Sequence, residues 1–165
     1  MVCLSDFIVA NAIDADAILL AKGEHGETWP VFETKNLTPE DLAPLYFLLS
    51  DQNAFAPPLS SEVAPDYDRP FENALEEFSA FLLLADDGQG KVVLEIPLQL
   101  TQELAGLTAT DLPEIAWNWS NFKSLSMNFQ TFYDVKETQV ILEKLQKIAR
   151  LAVDRKSSLL LWICL

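Results

Sequence analysis

The sequence has few of the residues from which reactive sites are usually built. Its 165 residues include two cysteines and one histidine. Cys3 and Cys164 stand at opposite ends of the chain, each inside an apolar segment, so we expect both to be buried and reduced, as in a cytosolic protein. A disulfide between the two ends, or a thiol catalyst, is the weaker alternative, because no histidine lies near either cysteine in the sequence.

Long apolar runs are also missing. The longest unbroken run, residues 159–165, is far shorter than the roughly 20 residues that a membrane-spanning helix needs. The first residues have no basic region and no cleavage pattern, so we expect no secretory signal. Both observations predict a cytoplasmic protein without membrane contact.

Only five glycines are present, and none belongs to a phosphate-binding loop or a dinucleotide fingerprint. The acidic pair Asp66 and Asp68 has the spacing that opens a calcium loop, but it lacks the required glycine and distant glutamate. We expect the single histidine, His25, to be solvated in an acidic turn. A metal site there is the weaker alternative, since it needs further ligands. We therefore expect no metal or cofactor, and an ordinary enzyme is disfavoured.

Basic residues are scarce, and their shortage is confined to one half of the chain. Residues 1–90 carry 17 acidic residues against three basic ones, whereas residues 91–165 carry eight of each. The whole net charge of −14 therefore belongs to the first half. Such a field would repel phosphate, so we expect no nucleic-acid binding. A charge distribution of this kind gives information about binding partners and association, and not about the fold.

Hydrophobic patterns nevertheless provide for a full core, since half of the residues are apolar. Alternating or continuous apolar runs predict strands at residues 2–10, 28–33, 92–96, 124–130 and 158–165. Helices are predicted at residues 14–21, from Thr38 onward, and at 71–82, 101–107 and 134–153. Residues 51–67 are predicted to form a long loop. The stretch 110–119 is compatible with either a helix begun at Pro113 or a strand.

These elements predict a single domain, residues 1–165, of the α+β class, in which helices pack on one mixed sheet. A doubly wound α/β fold is the alternative, but the glycine-rich turn after the first strand is missing. The residues expected in the core are Phe78, Leu94, Leu145, Ile148 and Leu161. Trp117 and Trp119 are expected in the core or an interface rather than as a stacking platform.

The acidic half contains the best candidate for a binding surface. Glu72 and Glu76 lie four residues apart on a predicted helix with no opposing lysine, which costs a few tenths of a kcal/mol in the free protein. A cationic partner would relieve that repulsion. The candidate partner-binding residues are Glu62, Asp66, Asp68, Glu72, Glu76 and Glu77.

We therefore expect a non-catalytic cytosolic protein that binds a basic protein partner, for instance an immunity or inhibitor protein that masks the cationic site of a toxin. One alternative is a small enzyme or ligand-binding domain whose site is assembled only in three dimensions. Another is a structural homo-oligomer. A third is that the acidic surplus serves only solubility.

Overall fold

The computed structural model describes residues 3–21, 24–50, 80–125 and 134–164. In these ranges the chain forms one five-stranded sheet with helices on both faces. The strands are β1 (Leu4–Ala10), β2 (Val31–Lys35), β3 (Leu82–Asp86), β4 (Lys91–Glu95) and β5 (Ser158–Cys164). The α-helices are α1 (Ala15–Leu20), α2 (Pro39–Ser50), α3 (Leu98–Gly106), α4 (Leu112–Leu125) and α5 (Val135–Arg155).

The strand order is β2-β1-β5-β4-β3, and every neighbouring pair is antiparallel. The α+β class is confirmed. The expected mixture of strand directions is not found among the described strands, and the α/β alternative fails because they contain no parallel pair. The apolar run of β5 lies at the centre, where both faces are covered. No helix in the described ranges has both the length and the apolar character needed to cross a membrane.

The two faces of the sheet are covered very differently. Helices α2 to α5 pack on one face, here called the four-helix face, and bury the larger core around Phe7, Leu142 and Leu161. The other face carries Ile8, Leu160 and Trp162 and is covered by α1 and its flanking turns. We call it the α1 face. Because side chains alternate along a strand, each residue of β1 belongs to one face only.

Helix α5 follows the prediction from its sequence closely. Asp134 is its N-cap and forms the predicted capping box with Glu137, each side chain accepting from the other's backbone N–H. The predicted stripe of Leu142, Leu145, Ile148 and Ala152 is buried. Leu161 is also buried, as expected, whereas Leu94 is only half-buried on β4. Phe78 lies outside the described residues.

The predicted helix at residues 71–82 is wrong at its C-terminal end. Leu82 begins β3 and is exposed, and residues 87–90 join β3 to β4 as a hairpin. Gly88 and Gly90 have positive φ there, and the Asp86 carboxylate accepts from the Gly88 N–H. The run Phe81–Ala85 has no clear periodicity, so the pairing with β4 decides its structure.

Two further predictions are corrected. Thr101 does not cap a helix: α3 already begins at Leu98 after Pro97, and the Thr101 hydroxyl donates to the Pro97 carbonyl. The predicted strand at 124–130 fails at its start, because residues 124 and 125 end α4; its remainder lies outside the described residues. The open stretch 110–119 is helical from Leu112 onward.

Candidate functional site

The acidic residues proposed from the sequence lie outside the described residues. All six fall between residues 51 and 79, as does most of the predicted helix that carries three of them and the whole of the predicted loop at 51–67. Their convergence on one exposed region therefore remains a prediction.

The sheet separates an acidic side from a charge-balanced side. Residues 11–21 and 24–30, which cover the α1 face, contain four acidic residues and no lysine or arginine. Glu33 and Lys35 project from β2 on the same face, and Glu33 lies opposite Asp6. In the described ranges no carboxylate of this set forms an ion pair with a lysine or arginine. We call the set the acidic side: Asp14, Asp16, Glu24, Glu27 and Glu33.

The four-helix face has no comparable surplus beyond α2. Residues 98–156, which contain α3 to α5, carry seven acidic and seven basic residues. Helix α2 adds Glu40 and Asp41, but both stand in its first turn, where a negative charge stabilises the helix dipole. The Asp41 carboxylate also accepts from the backbone N–H and the hydroxyl of Thr38. The acidic side thus holds five carboxylates against Lys35 alone in the described ranges, and the remaining surplus lies with Glu40 and Asp41 on α2 and with Asp86 and Asp87 at the β3–β4 hairpin.

His25 contradicts the sequence-based prediction of a solvated histidine. It is fully buried, and its ring meets the indole of Trp162 edge-on with 4.8 Å between ring centroids. Its Nδ1 lies 2.6 Å from Oδ2 of Asp6, and its Nε2 lies 3.0 Å from the Ile18 carbonyl oxygen. His25 therefore ties the turn at residues 25–27 to β1, to α1 and to β5.

These two contacts determine where the protons lie. The Ile18 carbonyl can only accept, so Nε2 of His25 must carry a hydrogen and donate it. The 2.6 Å contact between Nδ1 and the Asp6 carboxylate then needs one more proton, on either atom, because two lone pairs would repel. The pair is consequently neutral overall, either as carboxylate with imidazolium or as carboxylic acid with imidazole. With both ring nitrogens engaged, His25 has no lone pair free for a metal.

The surroundings of Asp6 favour keeping that proton. Burial raises the pKa of the Asp6 carboxyl, the hydrogen bond and the charge of His25 lower it, and Glu33 on β2 raises it further, with burial the largest effect. The carboxyl therefore holds its proton more readily in the folded protein than in the unfolded chain. An isolated carboxyl of this kind would contribute folding free energy that declines as the pH rises from the unfolded pKa through the raised folded one; because Asp6 shares its proton with His25, the two groups contribute as a pair.

A groove of about 280 Å³ opens beside the buried pair. It is smaller than the roughly 300–1,000 Å³ of typical small-molecule sites, so it suits a single inserted side chain better than a free ligand. Trp162 is 3% exposed, and in the described part of the chain its indole N–H has no acceptor. The groove is lined by Leu4, Asp6, Glu33, Thr34, Lys35 and Trp162.

A second groove of about 380 Å³ lies at the opposite end of the sheet, between β4, α3 and the start of β5. Its lining mixes apolar side chains with Asn11, Gln102 and Lys156. The carboxylate of Glu95 in this groove accepts from the Ser158 hydroxyl at 2.5 Å. In the described ranges no three histidine, cysteine, aspartate or glutamate side chains are grouped to hold a metal.

The cysteines are free, but both are half-buried rather than buried. Their strands are neighbours, and Leu4 pairs with Cys164. Cys3 therefore points to the four-helix face and Cys164 to the α1 face, which opposes a disulfide between them. Burial raises the pKa of the Cys3 thiol, and the charges of Cys164, Asp41 and Glu40 add to this, so it is a poor nucleophile.

The two tryptophans considered in the sequence have different environments. Trp119 is buried in the larger core, and its indole N–H donates to the Asp41 carbonyl at 2.9 Å. Trp117 is 57% exposed on α4. Trp119 thus has the expected core position, while the two side chains do not form a common surface.

The sequence alone does not reveal the Asp6–His25–Trp162 constellation. One signal is present: Asp6 is the only charged residue in a strand that is apolar except for Ser5, which predicts a buried partner. The partner could not be read from the sequence, because His25 lies 19 residues away in an acidic turn.

Comparison with known proteins provides no family for this chain. No protein-family model matches it, and no curated protein matches it. Among solved structures it resembles that of YfbM from Escherichia coli, a protein of unknown function, at 16% identity with a TM-score of 0.40 over 100% of both chains. A likeness at this level implies nothing about activity.

Proposed function

We propose that this protein is non-catalytic and binds a basic protein partner through its acidic side. The observation that supports this most is the separation of charge by the sheet: the carboxylates of Asp14, Asp16, Glu24, Glu27 and Glu33 share one face without lysine or arginine partners in the described ranges. An acidic surplus that served solubility alone would not need to be confined to one face.

Electrostatics explains why such a surface would be retained. Like charges close together repel in the free protein, and a cationic partner turns that cost into attraction and into faster encounter. The groove beside Glu33 is lined by Lys35 as well, so the proposal rests on the exposed carboxylates and not on this recess. Glu62, Asp66, Asp68, Glu72, Glu76 and Glu77 would extend the surface, as the sequence suggests.

An immunity or inhibitor protein is the specific form we favour, because masking a cationic site needs charge and shape but no catalytic residues. The described ranges fit this form: their one histidine is buried with both nitrogens engaged, and Cys3 is a poor nucleophile. We further propose a cytoplasmic location, in which free cysteines on opposite sheet faces would stay reduced.

Charge reversal tests this proposal. The triple variant Asp16→Lys, Glu24→Lys and Glu27→Lys should bind a basic partner, captured from native lysate at low salt, about tenfold or more weakly than the unchanged protein. All three side chains are exposed, so the fold should be retained. Equilibrium affinity for the captured partner is the measurement, with circular dichroism as the check on folding.

The matched control reverses three exposed acids on the other side: Glu103→Lys, Glu114→Lys and Asp154→Lys. It changes the net charge by the same amount, so a purely global charge effect would weaken binding equally in both variants. We expect the control to stay within about threefold of the unchanged protein. Equal losses in both variants, or capture of acidic and neutral proteins only, would contradict the proposal.

A further inference from the structure

In the described ranges, one buried side-chain hydrogen bond joins the covering of the α1 face to the sheet. Residues 11–21 and 24–30 pack on this face through the apolar side chains of Ala15, Ile18 and Leu19, and the Val9 N–H donates to the Pro30 carbonyl where the segment meets β1. The side-chain hydrogen bond is His25 to Asp6, while the other nitrogen of His25 holds α1 through the Ile18 carbonyl. His25 thus joins the turn, the helix and the sheet at one point.

We propose that the Asp6–His25 pair is a proton-dependent latch that holds residues 11–21 and 24–30, and with them most of the acidic side, on the sheet. The latch is closed while the pair holds one proton in addition to Nε2–H. Removing a proton leaves one ring nitrogen with a lone pair that faces an oxygen acceptor, either the Asp6 carboxylate at 2.6 Å or the Ile18 carbonyl at 3.0 Å. It also leaves an uncompensated negative charge in a buried site, and both effects weaken the attachment of the segment to the sheet. The inference does not rest on the proposed partner.

The charged neighbours of the pair do not replace the missing proton. Glu33 on β2 directly opposes Asp6, and Glu24 and Glu27 flank the histidine turn; all three are negative and favour keeping the proton. Trp162, the neighbour of Asp6 on β5, does not ionise. Lys35, the one lysine on this face in the described ranges, and Cys164 stand two pairs further along the strands, opposite Leu4. Helix α1 and its N-cap contribute Asp16 and Asp14.

The direction of the pH dependence follows from counting protons. In the unfolded chain a histidine loses its proton near pH 6.5 and an aspartate near pH 4. Above about pH 6.5 the closed latch therefore holds one proton more than the unfolded chain, so the unfolding equilibrium constant should rise about tenfold per pH unit. Between about pH 4 and 6.5 the folded and unfolded states bind the same number of protons at these two groups. The pair therefore adds no pH dependence to the free energy of unfolding in that range.

Asp6→Asn provides a nearly isosteric latch without the shared proton. The amide N–H of the new side chain can donate to Nδ1 while Nε2–H still donates to Ile18, which keeps the histidine neutral. In this variant the contribution of the two side chains to the unfolding equilibrium constant should not change with pH above about pH 6.5. The constant should instead rise as the pH falls below that value. Glu33→Gln removes the opposing carboxylate but not the latch, and it should keep the slope of the unchanged protein.

Urea unfolding of the three proteins between about pH 5 and 9 measures these slopes. The proposal is overturned if the unchanged protein and Asp6→Asn have the same slope above about pH 6.5.

Should Asp6→Asn fail to fold, NMR of the unchanged protein still tests the proposal. The chain has one histidine, so its ring ¹⁵N signals are unambiguous. We expect the ring signals of the folded protein to show a protonated Nε2, which donates to the Ile18 carbonyl, and a hydrogen-bonded Nδ1. An Nε2 without a proton would overturn the proposal.

Amide hydrogen exchange tests where the latch acts. The amides of Ala21, Thr28 and Trp29 donate to the carbonyls of Ile18 or His25, so their protection should fall when the latch loses its proton. Amides in the middle of α5 should keep theirs. Equal pH dependence in both groups would show that the pair affects only global stability and would contradict the latch.

Discussion

Replacing His25 by alanine should lower the free energy of unfolding by about 3–5 kcal/mol, because it leaves the buried Asp6 carboxylate without its partner. Only 9% of the Asp6 side chain is exposed, so water cannot replace the lost hydrogen bond effectively. The substitution also removes the ring that packs against Trp162. Urea unfolding followed by tryptophan fluorescence at constant pH measures the loss.

A double-mutant cycle provides the control for this prediction. Asp6→Ala combined with His25→Ala removes the unpaired carboxylate as well, so the double variant should lose clearly less than the sum of the two single losses. Additive losses would mean that the two side chains do not interact. A loss below about 1 kcal/mol for His25→Ala alone would mean that the histidine is solvated, as the sequence suggested.

Replacing Leu145 by alanine should cost about 2–5 kcal/mol of folding free energy. Leu145 is fully buried on α5 in the core beneath the four-helix face, where neighbouring side chains close only part of the cavity that its truncation leaves. Denaturant titration should show a lower midpoint with an unchanged slope, since the surface exposed on unfolding stays the same.

Val140→Ala on the same helix is the matched control. Val140 is 49% exposed, so its truncation removes little buried surface, and alanine has the better helix propensity. We expect a change within about 0.5 kcal/mol. Similar losses at both positions would mean that α5 does not bury the face assigned to it.

Much of the fold can be predicted where a local pattern is sufficient. The continuous run of β5 and the capping box and stripe of α5 identify those elements without tertiary information. Prediction of secondary structure fails where residues distant in the sequence determine the local conformation. Residues Leu82–Asp86 become a strand because β4 pairs with them. Thr101, a good N-cap by type, lies inside a helix that already begins after Pro97.

The candidate site is less predictable for the same reason. Asp6 within an apolar strand is a visible anomaly, but its partner is 19 residues away and looks like an ordinary turn histidine between two glutamates. The alternation of β1 assigns Asp6 to one face of the sheet, while only the folding of residues 11–30 onto that face brings His25 to it. The charge asymmetry between the two halves of the chain, in contrast, can be read from the sequence. The fold then places the residues of the acidic side on one face of the sheet.

The most direct test of a binding surface for a basic partner is the association rate constant of the captured complex as a function of salt. Between about 0.01 M and 1 M salt the screening length falls from about 30 Å to about 3 Å. Steering by the acidic side should then lower the rate constant by about tenfold or more, and the triple variant of Asp16, Glu24 and Glu27 should lose most of this dependence. A rate constant indifferent to salt, or a dependence that survives in the triple variant, would contradict the account.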